Sequence, residues 1–92
     1  MNLDELYNII CDRRDNPVAG SYTRRLLEAG EDEMVKKVGE EAVEVILAVK
    51  GQGEQRIVEE TADLLYHVLV LLASKDIHPQ QVMDELESRH KK

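Results

Sequence analysis

The chain has 92 residues, with 12 Lys and Arg against 19 Asp and Glu and a formal net charge of −7. This length predicts one domain, residues 1–92, and the 26 Leu, Ile and Val residues are enough for an aliphatic core without Phe or Trp. The acidity argues against nucleic acid and against an anionic membrane surface as partners, because both attract basic faces.

The apolar residues recur with the period of an α-helix, and no segment alternates in the manner of a strand. The predicted helices cover, in chain order, residues 3–14, 22–29, 31–50, 54–74 and 79 to the basic tail. Asn2 with Glu5 resembles a capping pair before the first helix, and Ser21 caps the second. Gly30 ends the second helix in a left-handed conformation, and Pro79 begins the last one. The sequence therefore predicts an all-α fold.

The second half of the fourth predicted helix, residues 64–72, is apolar on every side. A helix of this kind must be buried all round, and the other helices of so short a chain can hardly cover it. The turn of about three residues before this helix makes it antiparallel to the third. We therefore expect a helical bundle built on an antiparallel hairpin of two long helices and completed by a homodimer or a larger homo-oligomer.

The excess acidity is concentrated in one segment. Residues 31–63 contain 10 acidic and 4 basic side chains, which is −6 of the −7. The acidic pairs in the two long helices are Glu41 with Glu44 and Glu60 with Asp63. The members of each pair lie three residues apart and share one face of a helix. Folding the hairpin places Glu44 opposite Glu60. One turn further on, Glu41 lies opposite Asp63, so the sequence predicts four carboxylates in one interhelical groove.

Four converging carboxylates repel one another and cannot all be ionised near a core without a counter-charge. Hard divalent cations supply it, and an all-oxygen set favours Mg²⁺, with Mn²⁺ as the alternative, over zinc. The competing interpretation is a solvated face of ordinary surface acids. Two acidic pairs in mirrored register across a short turn favour the metal site.

Basic and hydroxyl side chains lie near these acids. Lys36 and Lys37 precede them by one turn and either neutralise carboxylates, bind phosphate oxygens or form surface ion pairs. The Ser-Tyr-Thr-Arg-Arg segment at 21–25 offers hydroxyls and guanidinium groups at a helix start. That composition fits an anion site or a simple helix cap.

Two residues beyond the acids are predicted to support the site. His67 lies one turn beyond Asp63 on the same face. It could act as a base, orient Asp63 or be a hydrogen-bonded core histidine, and we favour the supporting role. Tyr66 is expected to pack with its hydroxyl bonded. Cys11 is expected to act as a small apolar side chain.

The sequence also predicts a cytoplasmic protein. One cysteine cannot close a disulfide within the chain, whereas secreted domains of this size usually contain several. The acidic N-terminus lacks the features of a targeting signal. The longest mostly apolar run, 64–73, is about half the length that spans a bilayer.

Three segments carry a resemblance to a known family. They are Ser21-Tyr22-Thr23, the run Lys-Lys-Val-Gly-Glu-Glu-Ala-x-Glu at 36–44, and the run Glu-Glu-Thr-Ala-Asp-Leu-Leu-Tyr-His at 59–67. Together they resemble the phosphoribosyl-ATP pyrophosphohydrolases, which belong to the all-α, MazG-like nucleoside triphosphate pyrophosphatases. The resemblance extends from about Leu3 to Arg89.

The resemblance implies Mg²⁺-dependent hydrolysis of the α–β phosphoanhydride of 1-(5-phosphoribosyl)-ATP. The products are the AMP compound and pyrophosphate, in the second step of histidine biosynthesis. The implied Mg²⁺ ligands are Glu41, Glu44, Glu60 and Asp63. Glu40 is a further ligand or the group that positions and deprotonates the attacking water, so Glu40 and Glu41 are the catalytic candidates. The candidate contacts to the nucleotide substrate are Lys36, Lys37, Ser21, Tyr22, Thr23 and Arg24.

Two other functions stay open at this point. One keeps the fold and the metal but acts on free nucleoside triphosphates, as house-cleaning pyrophosphatases do. The other is an acidic helical module that only binds protein partners. The Lys-Lys pair beside the acids favours catalysis, and the Tyr-His pair after Asp63 favours the histidine pathway.

Overall fold

A computed structural model describes residues 1–91 and contains five α-helices. They are α1 (Leu3–Asp15), α2 (Tyr22–Ala29), α3 (Glu31–Gly51), α4 (Glu54–Ser74) and α5 (Pro79–His90). No strand occurs in the described residues, so the all-α prediction is confirmed. None of these helices is long and apolar enough to cross a membrane.

The helix ends follow from local chemistry. The Asn2 side chain accepts a hydrogen bond from the Glu5 amide at 2.8 Å, and Ser21 accepts one from the Arg24 amide at 3.3 Å. Both bonds satisfy amides that have no partner within the helix. Gly30 separates α2 from α3 with φ 100° and ψ 175°. Its φ is positive as predicted, but the backbone is extended rather than left-handed helical, a region that only glycine enters freely.

The two long helices form the hairpin that carries the acidic residues. α3 and α4 are joined at Gln52 and Gly53 and make the most extensive helix contact in the chain. The core lies away from this turn, where α1, α2 and the start of α3 pack on the second half of α4. The buried core residues are Tyr7, Ile10, Leu26, Met34, Leu69, Val70 and Ala73. Cys11 packs against them half-buried.

Exposed apolar side chains show how much of the hairpin the chain covers by itself. In the second half of α4, Leu69, Val70 and Ala73 are buried, so α1 and α2 cover more of this helix than the sequence predicts. Leu65 stays 44% exposed. Exposure is greatest towards the turn, among Val43, Ile46, Leu47, Val49 and Val58. The turn end of the hairpin therefore has an apolar surface without a partner among residues 1–91.

Candidate metal centre

Three carboxylates from the two long helices converge on one point. Glu41 comes from α3, and Glu60 and Asp63 come from α4, where their spacing of three residues places them on one face. One carboxylate oxygen of each lies within 4.8 Å of the others. Oxygens this close repel when all are ionised, and a cation between them removes the repulsion.

Glu60 is the most constrained of the three. It is 6% exposed and forms an ion pair with Arg56, one turn earlier on α4. Arg56 also holds Glu59 at 2.6 Å. The hydrogen bond to Glu59 and the charge of Glu60 raise the pKa of Arg56, so the guanidinium stays charged beside the site. Arg56 was not among the predicted site residues, although its i, i+4 spacing from Glu60 is a signal for such a pair.

Glu44, the fourth predicted ligand, is not part of this group of three. It lies half-buried on α3, one turn nearer to the hairpin turn than Glu41. Its charge acts on Arg56, the ion-pair partner of Glu60. Arg56 therefore lies on the side of the groove where Glu44 was predicted to complete the set of four carboxylates.

Glu40 faces a different set of partners. Its carboxylate is 3.7 Å from the Lys37 ammonium and 3.9 Å from that of Lys36. Both separations are long for a direct hydrogen bond, and Lys36 and Glu40 are exposed. The lysines are thus held loosely, one turn before Glu41, where their hydrogen-bond donors are accessible to an anion.

His67 connects the acidic helix to α2. Its Nδ1 lies 2.7 Å from the backbone carbonyl of Asp63, and its Nε2 lies 2.9 Å from the Tyr22 hydroxyl. A carbonyl only accepts hydrogen bonds, so Nδ1 of the neutral ring carries the proton and Nε2 accepts from Tyr22. The predicted contact between His67 and Asp63 is therefore made through the main chain. It leaves the Asp63 carboxylate available for other ligands.

A second hydroxyl pair reinforces the contact between α2 and α4. The Thr23 and Tyr66 hydroxyls are hydrogen-bonded, and Thr23 is 8% exposed. The rings of Tyr22 and Tyr66 stack with centres 6.2 Å apart. Burial raises the pKa of Tyr22, so its phenol stays protonated and remains a donor to His67. The Ser-Tyr-Thr segment is thus fixed beside the carboxylates.

The two arginines of α2 differ in their surroundings. Arg24 forms an ion pair with Glu28 at 2.6 Å on its own helix. The guanidinium carbon of Arg25 lies 5.7 Å from the centre of the Tyr22 ring. The predicted substrate contact Arg24 therefore has a carboxylate partner. Arg25, which was predicted only as part of the segment at 21–25, contacts the aromatic ring of Tyr22.

Comparison with known proteins gives a consistent result. A family described as phosphoribosyl-ATP pyrophosphohydrolase matches residues 3–90. The chain is 48% identical to a phosphoribosyl-ATP pyrophosphatase of Clostridium botulinum over 98% of its own length and 82% of that protein. It is 49% identical to one of Sulfurisphaera tokodaii, with 97% and 95% covered. It is also 50% identical to a histidine biosynthesis bifunctional protein of Caldanaerobacter subterraneus, of which it covers 44%.

Proposed function

The chain belongs to the phosphoribosyl-ATP pyrophosphohydrolase family, and from this premise we propose how it performs that reaction. Phosphoribosyl-ATP is hydrolysed to phosphoribosyl-AMP and pyrophosphate, a step of histidine biosynthesis. The observation that carries the proposal is the convergence of Glu41, Glu60 and Asp63 from two helices. Anhydride hydrolysis depends chiefly on positioning the substrate and on positive charge at the phosphate oxygens. The three carboxylates would hold a cation that supplies this charge.

The donor set suits Mg²⁺ better than zinc. It contains carboxylate oxygens only, which Mg²⁺ prefers. Glu60 is buried and has a single basic partner, so a divalent cation would compensate the negative charge of a carboxylate that water solvates poorly. We propose that Glu41, Glu60 and Asp63 hold Mg²⁺, or Mn²⁺ in its place, and that Glu44 joins them when the ion is bound. The bound ion supplies positive charge for the phosphate oxygens.

The remaining residues of α3 act on water and phosphate. Glu40 accepts a proton from the attacking water or serves as a further ligand, and it holds Lys36 and Lys37 until an anion arrives. The lysines then donate to phosphate oxygens as point charges. The water oxygen forms a bond to one phosphorus, and the bridging oxygen leaves with the other. No covalent intermediate with the protein is needed.

The segment on α2 positions the substrate. Because the Tyr22 hydroxyl donates to His67, Tyr22 offers its ring rather than its hydroxyl proton to the substrate. The Ser21 and Thr23 hydroxyls already bond the Arg24 amide and Tyr66, and an incoming phosphate would have to share or replace these bonds. We propose that Tyr66 and His67 support this segment without touching the reacting atoms.

The test is pyrophosphate release from phosphoribosyl-ATP and from ATP, each with Mg²⁺ and with EDTA. We expect turnover of phosphoribosyl-ATP with Mg²⁺ and none with EDTA. The Asp63→Asn variant, which keeps the backbone carbonyl bonded to His67, should lose at least about a hundredfold in kcat, typical of losing charge stabilisation at a reacting centre. Faster release of pyrophosphate from ATP would replace this function with that of a pyrophosphatase acting on free nucleoside triphosphates.

A house-cleaning pyrophosphatase that acts on free nucleoside triphosphates is the second candidate function, since it would need the same carboxylates and lysines. Failure to cleave either nucleotide would leave the third interpretation, an acidic module that only binds other proteins. The relatives named above favour the first function, because their names include the phosphoribosyl-ATP substrate.

We also propose that the protein is a homodimer in the cytoplasm. Its accessible surface is 6327 Å², whereas a compact monomer of its mass exposes roughly 5,400 Å². The radius of gyration is 14.4 Å, against about 12 Å for a compact chain of this length. The excess surface is close to the roughly 800 Å² that each partner of a stable pair buries. A second copy packed on the apolar turn end of the hairpin accounts for it.

A further inference from the structure

Arg25 is a cation that has no carboxylate partner among residues 1–91 and contacts the ring of Tyr22. It lies on α2 and is exposed, and none of the ion pairs formed by residues 1–91 includes it. Its guanidinium carbon is 5.7 Å from the centre of the Tyr22 ring, within the range of a cation–π contact. The neighbouring Arg24 is occupied by Glu28. The guanidinium donors of Arg25 are therefore free while its position is held by an aromatic face.

Charges of both signs surround Tyr22. Lys37 and Arg25 both act on the Tyr22 phenol as positive charges, and Glu41 acts on it as a negative one. The Tyr22 hydroxyl bonds His67 on α4, the helix that carries two of the three clustered carboxylates. The Tyr22 side chain therefore lies between the guanidinium of Arg25 and that helix. Arg25 is therefore linked to the main chain of Asp63 through Tyr22 and His67.

The substrate of the proposed function has two separate anionic groups. One is the triphosphate chain, whose anhydride must reach the carboxylate cluster in order to react. The other is the phosphate monoester of the phosphoribosyl group, which free nucleoside triphosphates lack. A guanidinium on a different helix from the carboxylates, with all of its donors free, matches the second group, because its planar fork can bond two phosphate oxygens at once.

We propose, building on the proposed function, that Arg25 binds the phosphate monoester of the phosphoribosyl group and thereby selects phosphoribosyl-ATP over free nucleoside triphosphates. The Tyr22 ring holds the guanidinium in place, so less side-chain freedom is lost on binding. Arg25 is a specificity residue in this assignment, since the bond that it makes does not change during hydrolysis. Its removal should therefore affect KM rather than kcat.

The experiment measures pyrophosphate release by the wild type and by Arg25→Ala, with Mg²⁺ and with phosphoribosyl-ATP or ATP as substrate. Arg25→Ala should raise KM for phosphoribosyl-ATP by about tenfold to a hundredfold, the loss expected for a charge-assisted hydrogen-bonded pair, and leave kcat unchanged. Its kcat/KM with ATP should equal that of the wild type. Arg25→Lys, which keeps the charge but loses the fork, should have an intermediate KM.

Arg89→Ala is the matched control, because Arg89 is an exposed arginine on α5 that pairs with Glu85. It should have wild-type KM values for both nucleotides. An unchanged KM of Arg25→Ala for phosphoribosyl-ATP would overturn the assignment, as would an equal fall in kcat/KM with both nucleotides. If the wild type does not cleave phosphoribosyl-ATP, the proposed function itself is wrong. This outcome is seen with the wild type alone and is therefore distinct from a failure of the Arg25 assignment.

Discussion

Glu60 is a buried carboxylate whose counter-charge is an exposed side chain. The exposed guanidinium of Arg56 pairs with it, and removing such a partner from a buried charge costs several kcal/mol unless another cation replaces it. A divalent ion among Glu41, Glu60 and Asp63 would be that replacement. Metal affinity should therefore depend on Glu60 far more than on Glu59, which shares Arg56 but is exposed and lies outside the cluster.

Thermal unfolding of Glu60→Gln with and without Mg²⁺ tests this dependence. At a hundredfold excess of ion over its Kd, the wild type should gain about 2.7 kcal/mol of stability from binding. Glu60→Gln should lose most of this gain, because the amide removes one negative charge from the set. Glu59→Gln is the control and should gain as much as the wild type. Equal gains in both variants would show that the cluster does not hold the ion.

At the scale of helices, α2 is positioned by two polar contacts to α4 rather than by apolar packing alone. The Tyr22 hydroxyl donates to His67, and the Thr23 and Tyr66 hydroxyls bond each other. Thr23 is buried, so the loss of its hydroxyl leaves Tyr66 without this partner in a partly buried place. The hydroxyl pair of Thr23 and Tyr66 should therefore behave as an energetically coupled unit that positions the segment which we propose binds the substrate.

A double-mutant cycle measured by urea unfolding tests this coupling. Thr23→Val should destabilise the fold by about 1–3 kcal/mol, the cost of an unmade hydrogen bond at a buried site. Adding Tyr66→Phe should cost little more, because both polar groups are then absent. Additive effects of the two substitutions would mean that the contact between the two hydroxyls contributes nothing to the stability of the fold.

At the scale of the whole molecule, the hairpin extends beyond its own core. The core gathers where α1 and α2 meet the second half of α4, whereas Ile46 and Val58 near the turn are each 59% exposed. Apolar surface that a single chain leaves open at one end is typical of a chain that completes its core with another copy.

Light scattering should give twice the 10.5 kDa mass of one chain. Ile46→Glu with Val58→Glu should shift the protein to a single chain that keeps its helical circular dichroism, because burying two new charges costs more than the apolar contact contributes. Val18→Glu alters an exposed apolar residue in the loop before α2 and should leave the mass unchanged. A wild type with the mass of one chain would contradict the proposed homodimer.

Local chemistry determined most of what the sequence revealed by itself. Apolar period, caps such as Asn2 and Ser21, and glycines at the breaks predicted all five helices to within about a residue, because these signals act within one or two turns. The acidic pairs predicted the groove for the same reason, since residues three apart must share a helix face. The family resemblance rested on the same local runs and agrees with the family match over residues 3–90.

Only the tertiary structure decided which of its possible partners each side chain meets, between helices and along one helix. It brought Glu41, Glu60 and Asp63 together without Glu44, placed Arg56 beside Glu60, and turned Glu40 towards the lysines. It also distinguished Arg25 from Arg24, which are adjacent and identical in type. The choice of partner depends on side-chain rotamers and on packing against residues far apart in the chain. Alternative ion pairs of one side chain differ by little free energy, so spacing alone does not select among them. Sequence spacing therefore determines the face of a helix, and packing determines the partner.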